Sequence, residues 1–198
     1  MIQLASGFCS LINGGNYYEP HVVKQILNDQ GSVVKKIEPN LVRETVSQST
    51  SDFIRHALFM TVDDEEGTGK AGRVAGYKVG GKTGTAEKLP RSAHNYLVSF
   101  CGFAPADDPQ LLVYVVIDTP NLPGKEQAHS TFATEVFQKI MAEALPYLNV
   151  FPDTDTTTED AGLTDQSEGI TNNNEGGLEP GTGETEAETE APTDAEGN

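Results

Sequence analysis

Apolar positions recur with a helical period in three segments of the chain and form short continuous runs in two others. In residues 1–12, 51–62 and 131–145 the apolar side chains lie three and four positions apart. This spacing places them on one face of a helix, so the pattern predicts three amphipathic helices. The runs at 96–104 and 111–118 are rich in β-branched residues and are joined by a Pro-Ala-Asp-Asp-Pro connection. They predict the two strands of a hairpin.

Turn and cap residues predict where these elements end. The first helix should end at Asn13-Gly14-Gly15, Ser51 should cap the second, and Ser130 should cap the third, which Pro146 should stop. The segment 17–27 and the valines that follow it predict a short hairpin around a polar turn. Residues 111–117 do not alternate, so their strand is predicted to be covered on both faces. The predicted fold class is α+β, an antiparallel sheet flanked by helices.

The charge divides the 198-residue chain into a body and a tail. The formal net charge is −17, and residues 151–198 hold 14 of the 30 acidic residues and no lysine or arginine. The body, residues 1–150, keeps 16 acids against 13 bases and is near neutral, which argues against nucleic acid as a partner. The tail has few apolar residues and no helical period, so we expect it to be disordered rather than to fold on a partner. No apolar run approaches the roughly 18 residues of a membrane span.

The start of the first predicted helix is unusual. It is amphipathic from Met1 onward, with no cap residue and no acidic first turn before it. We therefore expect Met1 to be an internal residue of a longer protein.

Two glycine patterns match nucleotide-binding motifs in their letters. Residues 76–83 fit the phosphate-loop pattern G-x-x-x-x-G-K-[ST], and residues 67–72 fit G-x-G-x-x-G. A phosphate loop needs a helix that opens at the lysine, but Lys82 is followed by Gly84 and later by Pro90, with little apolar surface between them. The second pattern follows a helix and not a strand. Both are therefore predicted to be loops, and no cofactor is expected.

Other reactive residues have ordinary interpretations. Ser32 is the one serine with a lysine three positions later, but it precedes a β-branched strand, where the two side chains would not share a face. Asp118, His129 and Ser130 are the residue types of a catalytic triad, but no nucleophile-elbow glycines surround Ser130. The four acidic residues 63–66 are interpreted as the solvated end of a helix. The histidines show no metal-ligand spacing, so no metal is expected. Cys9 and Cys101 are interpreted as small buried residues.

The tripeptide Lys82-Thr83-Gly84 gains meaning from its surroundings, because it precedes the predicted hairpin and the last helix. K-T-G is a motif of penicillin-binding proteins and class A β-lactamases, together with S-x-x-K and S-D-N. Residues 1 to about 148 resemble the C-terminal part of the transpeptidase domain of class B penicillin-binding proteins of the cell-division and sporulation type. The matching segments are Leu4-Ala5-Ser6-Gly7-Phe8, Ile12-Asn13-Gly14-Gly15, Pro20-His21-Val22-Val23, Gly67-Thr68-Gly69, residues 76–86 around the K-T-G tripeptide, and residues 99–105.

The resemblance implies a role for each residue of the tetrad Lys82-Thr83-Gly84-Thr85. Lys82 would offer positive charge to the carboxylate of a D-Ala-D-Ala stem peptide and polarise the serine network. The hydroxyls of Thr83 and Thr85 would bind that carboxylate, and Gly84 would let the substrate backbone approach. The Thr85 amide would form half of an oxyanion hole. β-Lactam antibiotics would bind at the same place.

Two of the three family motifs are absent from these residues. No S-x-N occurs, and Tyr147-Leu148-Asn149, which fits the Y-x-N variant, lies beyond the last helix. We therefore expect a fragment of a peptidoglycan D,D-transpeptidase whose nucleophilic serine lies upstream, inactive by itself. Its parent would sit at the extracytoplasmic face of the cell membrane on an N-terminal anchor. The alternatives are a fragment of a serine β-lactamase or D,D-carboxypeptidase, or a non-catalytic interaction module derived from such a domain.

Overall fold

Three α-helices and seven strands make up the part of the chain that the computed structural model describes, residues 1–153. The helices are α1 (Ile2–Ile12), α2 (Gln48–Asp63) and α3 (Thr131–Tyr147), and none of these described helices is long and apolar enough to cross a bilayer. The strands are β1 (Asn16–Tyr18), β2 (Gln25–Leu27), β3 (Val33–Lys36), β4 (Leu41–Glu44), β5 (Gly80–Glu87), β6 (Tyr96–Ala104) and β7 (Leu111–Asp118). The predicted α+β class is confirmed. The predicted tail lies outside the described residues, apart from its first three.

Strands β5, β6 and β7 form one antiparallel sheet in that order. The bounds predicted for β6 and β7 are those observed. Strand β5 pairs with β6 along its whole length, so Lys82 lies opposite Cys101, which lies opposite Tyr114 on β7. Directly opposite residues project to the same side of a sheet, so these three side chains share one face.

The central strand β6 holds the two cores together. On one face, Phe137 and Met141 of α3 pack around Phe100, whose ring meets that of Phe137 edge to face with centroids 4.8 Å apart. On the opposite face, Ile12 of α1 packs with Phe103. Burying one such aromatic side chain contributes about 1.5–3 kcal/mol. Because Phe100 and Phe103 are fully buried on opposite faces, β6 joins the helical layers on both sides.

Strand β7 is less buried than its continuous apolar sequence predicts. Its residues from Leu111 to Ile117 are all half-buried. Leu111 packs toward α3 and Leu112 toward α1, whereas Tyr114 and Val116 belong to neither core cluster. Within residues 1–153, β7 is an edge strand with β6 as its one strand partner. The prediction of cover on both faces therefore holds at Leu111 and Leu112 and fails at Tyr114 and Val116.

Helix α2 begins one turn earlier than the predicted cap. Ser47 precedes the first turn, and its Oγ accepts a hydrogen bond from the Thr50 amide at 3.2 Å. Ser51 is fully buried inside the helix, where its Oγ donates to the Leu11 carbonyl at 2.8 Å and accepts from the Gly14 amide at 3.0 Å. Ser51, the residue predicted as the cap, instead links α2 to the end of α1 through these two hydrogen bonds.

The ends of α3 also differ from the prediction. Pro146 lies inside the last turn rather than after it, and Tyr147 is the final helical residue. The helix tolerates the missing proline N–H there, and the Leu148 amide still donates to the Ala144 carbonyl at 2.9 Å. Ser130 does occupy the cap position, but its side chain makes no capping hydrogen bond.

Residues 19–40 form an arm outside the main sheet. The predicted single strand 17–27 is divided near Pro20 into β1 and β2, and β2 pairs with β3 as the predicted hairpin. Strand β1 pairs with β4, for which the sequence predicted no strand. Every residue of β2 and β3 is exposed. The arm starts and ends at one point, where the Glu19 amide donates to the Asn40 carbonyl at 2.9 Å.

Candidate functional site

Helix α2 covers the first part of the outer edge of β5 and leaves the rest open. The hydroxyl of Thr61 in α2 donates a hydrogen bond to the Gly81 carbonyl. From Lys82 to Glu87, no strand among residues 1–153 pairs with that edge. The tetrad therefore begins where the helix stops covering the strand.

Two contacts show which backbone groups of β5 point outward. The Gly81 carbonyl bonds to Thr61, and the Thr83 carbonyl accepts a hydrogen bond from Lys82 Nζ at 2.9 Å. Both carbonyls therefore face away from β6. The N–H and C=O groups of one residue point to the same side of an antiparallel strand, and this side alternates along the chain. The N–H and C=O groups of Thr85 consequently also face the open edge.

Lys82 is an exposed cation without a carboxylate partner in the described part of the chain. Besides the Thr83 carbonyl, its Nζ contacts the Thr83 hydroxyl at 3.4 Å. None of the ion pairs among residues 1–153 includes Lys82. Opposite it, burial raises the pKa of the Cys101 thiol to about 12, with a smaller contribution from Cys9, so this thiol is uncharged at neutral pH. The ammonium can therefore bind an anionic ligand at the edge.

Gly84 has a steric reason to lack a side chain. A Cβ at this position would lie 2.6 Å from Ser99 Oγ on the neighbouring strand. Its absence leaves room for Ser99 and keeps the middle of the tetrad flat. This flat surface is compatible with the close approach of an extended ligand.

The glycine-rich loop before β5 packs on an aromatic ring. A Cβ would lie 3.2 Å from the Phe100 ring at Gly69, 3.3 Å at Gly72 and 2.3 Å at Gly81. Gly67 faces the Thr61 carbonyl, with a Cβ distance of 2.4 Å. The G-x-G-x-x-G pattern thus reflects close packing on α2 and β6.

The phosphate-loop match is also explained by the structure. Lys82 lies inside strand β5 and does not open a helix. Backbone amides therefore do not converge on a phosphate position as they would at a helix N-terminus.

The alternative nucleophiles lie away from any catalytic arrangement. Ser32 is an exposed residue of the arm, next to β3. Asp118 pairs with Lys88 instead of a histidine, and hydrogen bonds from Lys88 and then Thr119 lower the pKa of its carboxyl. His129 packs edge to face on Phe132.

The acidic end of α2 forms ion pairs with the following loop. Glu65 pairs with Lys70 and, at 3.0 Å, with Arg73. These hydrogen bonds, that of Lys70 first, lower the pKa of the Glu65 carboxyl. Arg73 also donates from Nε to the Val62 carbonyl at 3.0 Å. The acidic cluster therefore fixes the loop that leads to β5.

A groove of about 380 Å³ lies elsewhere, between α1, β1 and Leu112 of β7. Its lining is largely apolar and includes no residue of the tetrad. The candidate site is instead the open, polar edge of β5.

The structure adds two residues that the sequence did not single out as functional. Thr61 holds the strand at Gly81, and Thr68 accepts a hydrogen bond from the Thr83 hydroxyl at 3.2 Å. The segment Gly67-Thr68-Gly69 resembles the family's sequence, but no local pattern links residue 68 to residue 83. Their contact depends on the path of the intervening loop.

Comparisons with known proteins agree on one family. The family model described as "Penicillin binding protein transpeptidase domain" matches residues 1–142. The chain is 42% identical over 155 residues to stage V sporulation protein D of Bacillus subtilis, covering 76% of this chain and 23% of that protein. It is 35% identical to the probable peptidoglycan D,D-transpeptidase PenA of Neisseria meningitidis, covering 77% and 24%. The chain thus spans about a quarter of the length of these relatives.

Solved structures give the same result. The transpeptidase domain of penicillin-binding protein 3 from Burkholderia pseudomallei matches with a TM-score of 0.61 and 31% identity, covering 76% of this chain and 43% of that one. Penicillin-binding protein 3 from Mycobacterium tuberculosis, solved with ampicillin, matches with a TM-score of 0.65 and 25% identity, covering 78% and 36%.

Proposed function

The chain belongs to the penicillin-binding protein transpeptidase family. We propose that it forms the carboxylate-binding side of a peptidoglycan D,D-transpeptidase active site. The observation that supports the proposal most is the position of Lys82, an exposed cation without a carboxylate partner in the described residues, where the edge of β5 becomes open. Its ligand is the terminal carboxylate of a D-Ala-D-Ala stem peptide, or the carboxylate of a β-lactam.

Each residue of the tetrad has a role in this proposal. Lys82 supplies the positive charge, and the hydroxyls of Thr83 and Thr85 complete the carboxylate site. Gly84 leaves room for the peptide backbone along the edge. The outward amide of Thr85 is one donor to the oxyanion that forms when the peptide carbonyl is attacked. Loss of one such donor lowers a rate by about 10²- to 10³-fold.

The acylated serine lies outside these 198 residues in this proposal. Ser32, the one serine with a lysine three positions later, is an exposed residue of the arm and not part of a helix. The S-x-x-K motif needs a helix, in which residues i and i+3 share a face. The parent protein would act at the extracytoplasmic face of the cell membrane, anchored by a segment upstream. A role in sporulation is supported by the name of the Bacillus subtilis relative.

Equilibrium binding tests the carboxylate site. We expect the chain to bind a diacetyl-lysyl-D-Ala-D-Ala peptide more tightly than the same peptide ending in a carboxamide. Lys82→Met should remove this preference, because a hydrogen bond to a charged group contributes about 1.5–3 kcal/mol, or roughly 10- to 100-fold in affinity. Lys88→Met is the matched control, since Lys88 pairs with Asp118 at the far end of β5. An unchanged preference in Lys82→Met would contradict the proposal.

Labelling with fluorescent penicillin tests the location of the nucleophile. The isolated chain should not retain a covalent label on a denaturing gel, whereas a longer protein that includes the upstream serine should. Covalent labelling of the isolated chain would show that a nucleophile lies within it. Rapid nitrocefin turnover by the longer protein would favour the β-lactamase alternative. A full reading frame without a helical S-x-x-K would favour the non-catalytic module.

A further inference from the structure

Strand β7 has an open edge and a face that is covered only in part. Within residues 1–153 it pairs with β6 alone, so the backbone groups along its other edge have no strand partner there. Leu112 packs toward α1, whereas Tyr114 and Val116, on the same face, are half-buried and belong to neither core cluster. The residues from Leu111 to Ile117 carry no charge. An uncharged apolar edge of this length is a template for pairing with a further strand.

A second copy of the chain can supply that strand. In a dimer that uses the same surface of both copies, the two β7 strands run antiparallel around a two-fold axis perpendicular to the sheet. Backbone N–H and C=O groups of successive residues point alternately toward β6 and toward the open edge. A hydrogen-bonded ladder therefore needs outward-facing residues opposite outward-facing residues. This condition allows only registers in which one residue of β7 lies opposite its own counterpart at the axis.

The sequence of β7 fits one of these registers best. With Tyr114 at the axis, every apolar residue of the strand lies opposite an apolar residue, and Asp118 lies opposite Gln110 of the second copy. A register centred one residue earlier would bring Asp118 toward Asp108, and one centred one residue later would set it against Leu112. Cross-strand pairs of aromatic and β-branched side chains stabilise a sheet, whereas like charges directly opposite one another destabilise it. The strand is thus self-complementary around Tyr114.

We propose that the 198-residue chain forms a two-fold dimer in which the β7 strands of two copies pair around Tyr114. The result is one antiparallel sheet, to which each copy contributes β5, β6 and β7. Leu112 of one copy lies opposite Val116 of the other, so each copy extends the partly covered face of its neighbour. Because β5 and β7 are opposite edges of the sheet, the tetrad lies at the two outer ends of the dimer and stays open. The inference goes beyond the proposed function and does not rest on it.

Sedimentation velocity of the 198-residue chain tests the dimer. The measurement covers about two orders of magnitude in protein concentration, because the dimer population depends on mass action. It is made in about 0.15 M salt, which screens repulsion between the acidic tails beyond about 8 Å. We expect the wild type to reach twice the mass of a single chain at the upper concentrations.

Charge substitutions at the axis test the register. Tyr114→Lys and Tyr114→Glu each place like charges directly opposite one another, and each should weaken the dimer about ten-fold. An equimolar mixture of the two variants should dimerise within about three-fold of the wild type, because lysine of one copy then faces glutamate of the other. This recovery also shows that both variants fold. Tyr147→Lys is the matched control, since Tyr147 is an exposed tyrosine of α3, and it should not change the dimer.

Three results would overturn the inference. A wild type that stays monomeric at every concentration would show that a second copy does not cover β7, whether or not the tail of the same chain does. A dimer of unchanged strength in Tyr114→Lys, or one that is lost in Tyr147→Lys, would show that the copies meet on another surface. A mixture no stronger than its two components would show that residue 114 does not lie opposite its own counterpart.

Discussion

Replacing Gly81 with alanine tests how the start of the tetrad is positioned. Gly81 directly precedes Lys82, and its carbonyl is held by Thr61 of α2. A Cβ at this position would lie 2.3 Å from the end of the Phe100 ring. Ordinary carbon contacts are about 3.5–4.0 Å, so the strand and the ring must separate by roughly 1.2–1.7 Å.

Neither the ring nor the strand can easily move. The ring is enclosed by the loop at Gly69 and Gly72 and by Phe137, and β5 is fixed by its full ladder to β6. Overpacking of this kind costs about 1–3 kcal/mol. Alanine restricts the unfolded chain and offsets about 0.4–1 kcal/mol of this cost. We therefore expect Gly81→Ala to lower the free energy of unfolding by about 1–2 kcal/mol.

Urea denaturation of the 198-residue chain measures this change. With a slope of about 2 kcal/mol per molar urea, the midpoint should fall by roughly 0.5–1 M. Gly7→Ala is the control, because no atom lies within 4 Å of a Cβ there and the helix should gain up to about 1 kcal/mol. Phe100→Leu should cost less in the Gly81→Ala background than in the wild type. A midpoint shift below about 0.1 M, or equal costs of Phe100→Leu in both backgrounds, would refute the steric reasoning.

Three further predictions concern other contacts. Because burial raises the pKa of the Cys101 thiol from 9.0 to about 12, iodoacetamide at pH 8 should alkylate this thiol about a thousand-fold more slowly in the folded chain than in the unfolded chain. Mass spectrometry measures the two alkylation rates, and equal rates would contradict this prediction. Ser51→Ala should lower the free energy of unfolding by about 1–3 kcal/mol, because it leaves two half-buried backbone groups unpaired, and Ser47→Ala should lower it by about 1 kcal/mol through loss of a cap. Urea midpoints in the reverse order would be inconsistent with this reasoning. Lys88→Met should raise the pKa of the Asp118 carboxyl toward its ordinary value in an NMR titration. Since the Asp118 pKa is lowered in the folded chain, the stabilisation from the Lys88–Asp118 pair is present above the unfolded pKa and is lost as pH falls through the folded pKa. If the Asp118 pKa were unchanged in Lys88→Met, the ion pair would not be the cause of the lowered pKa.

Local patterns predicted those parts of the fold that depend on burial. The bounds of β6 and β7 follow from two apolar runs and the prolines between them. Strand β4 was missed because Leu41 and Val42 are about half exposed, and the strand is stabilised by backbone pairing with β1 instead of by a core. Pairing with a distant strand has no marker in the residues themselves.

Contacts between distant residues explain the remaining differences. Ser51 has the residue type of a helix cap, but its partners Leu11 and Gly14 lie about forty residues away. The tetrad was recognisable by its motif, whereas its contact with Thr68 depends on how the glycine loop packs on Phe100. A sequence motif can thus indicate the chemistry of a site without identifying every residue that completes it.

The arm formed by residues 19–40 has a consequence for engineering this chain. Its two ends meet at the hydrogen bond between Glu19 and Asn40, and Tyr18 lies opposite Leu41. A short turn could therefore replace the whole excursion without altering any buried side chain, and a tag or reporter domain could be inserted at Gly31, at the tip. Because the arm lies outside the main sheet, it is a suitable point for attaching the protein to a support while the edge of β5 remains accessible to peptides.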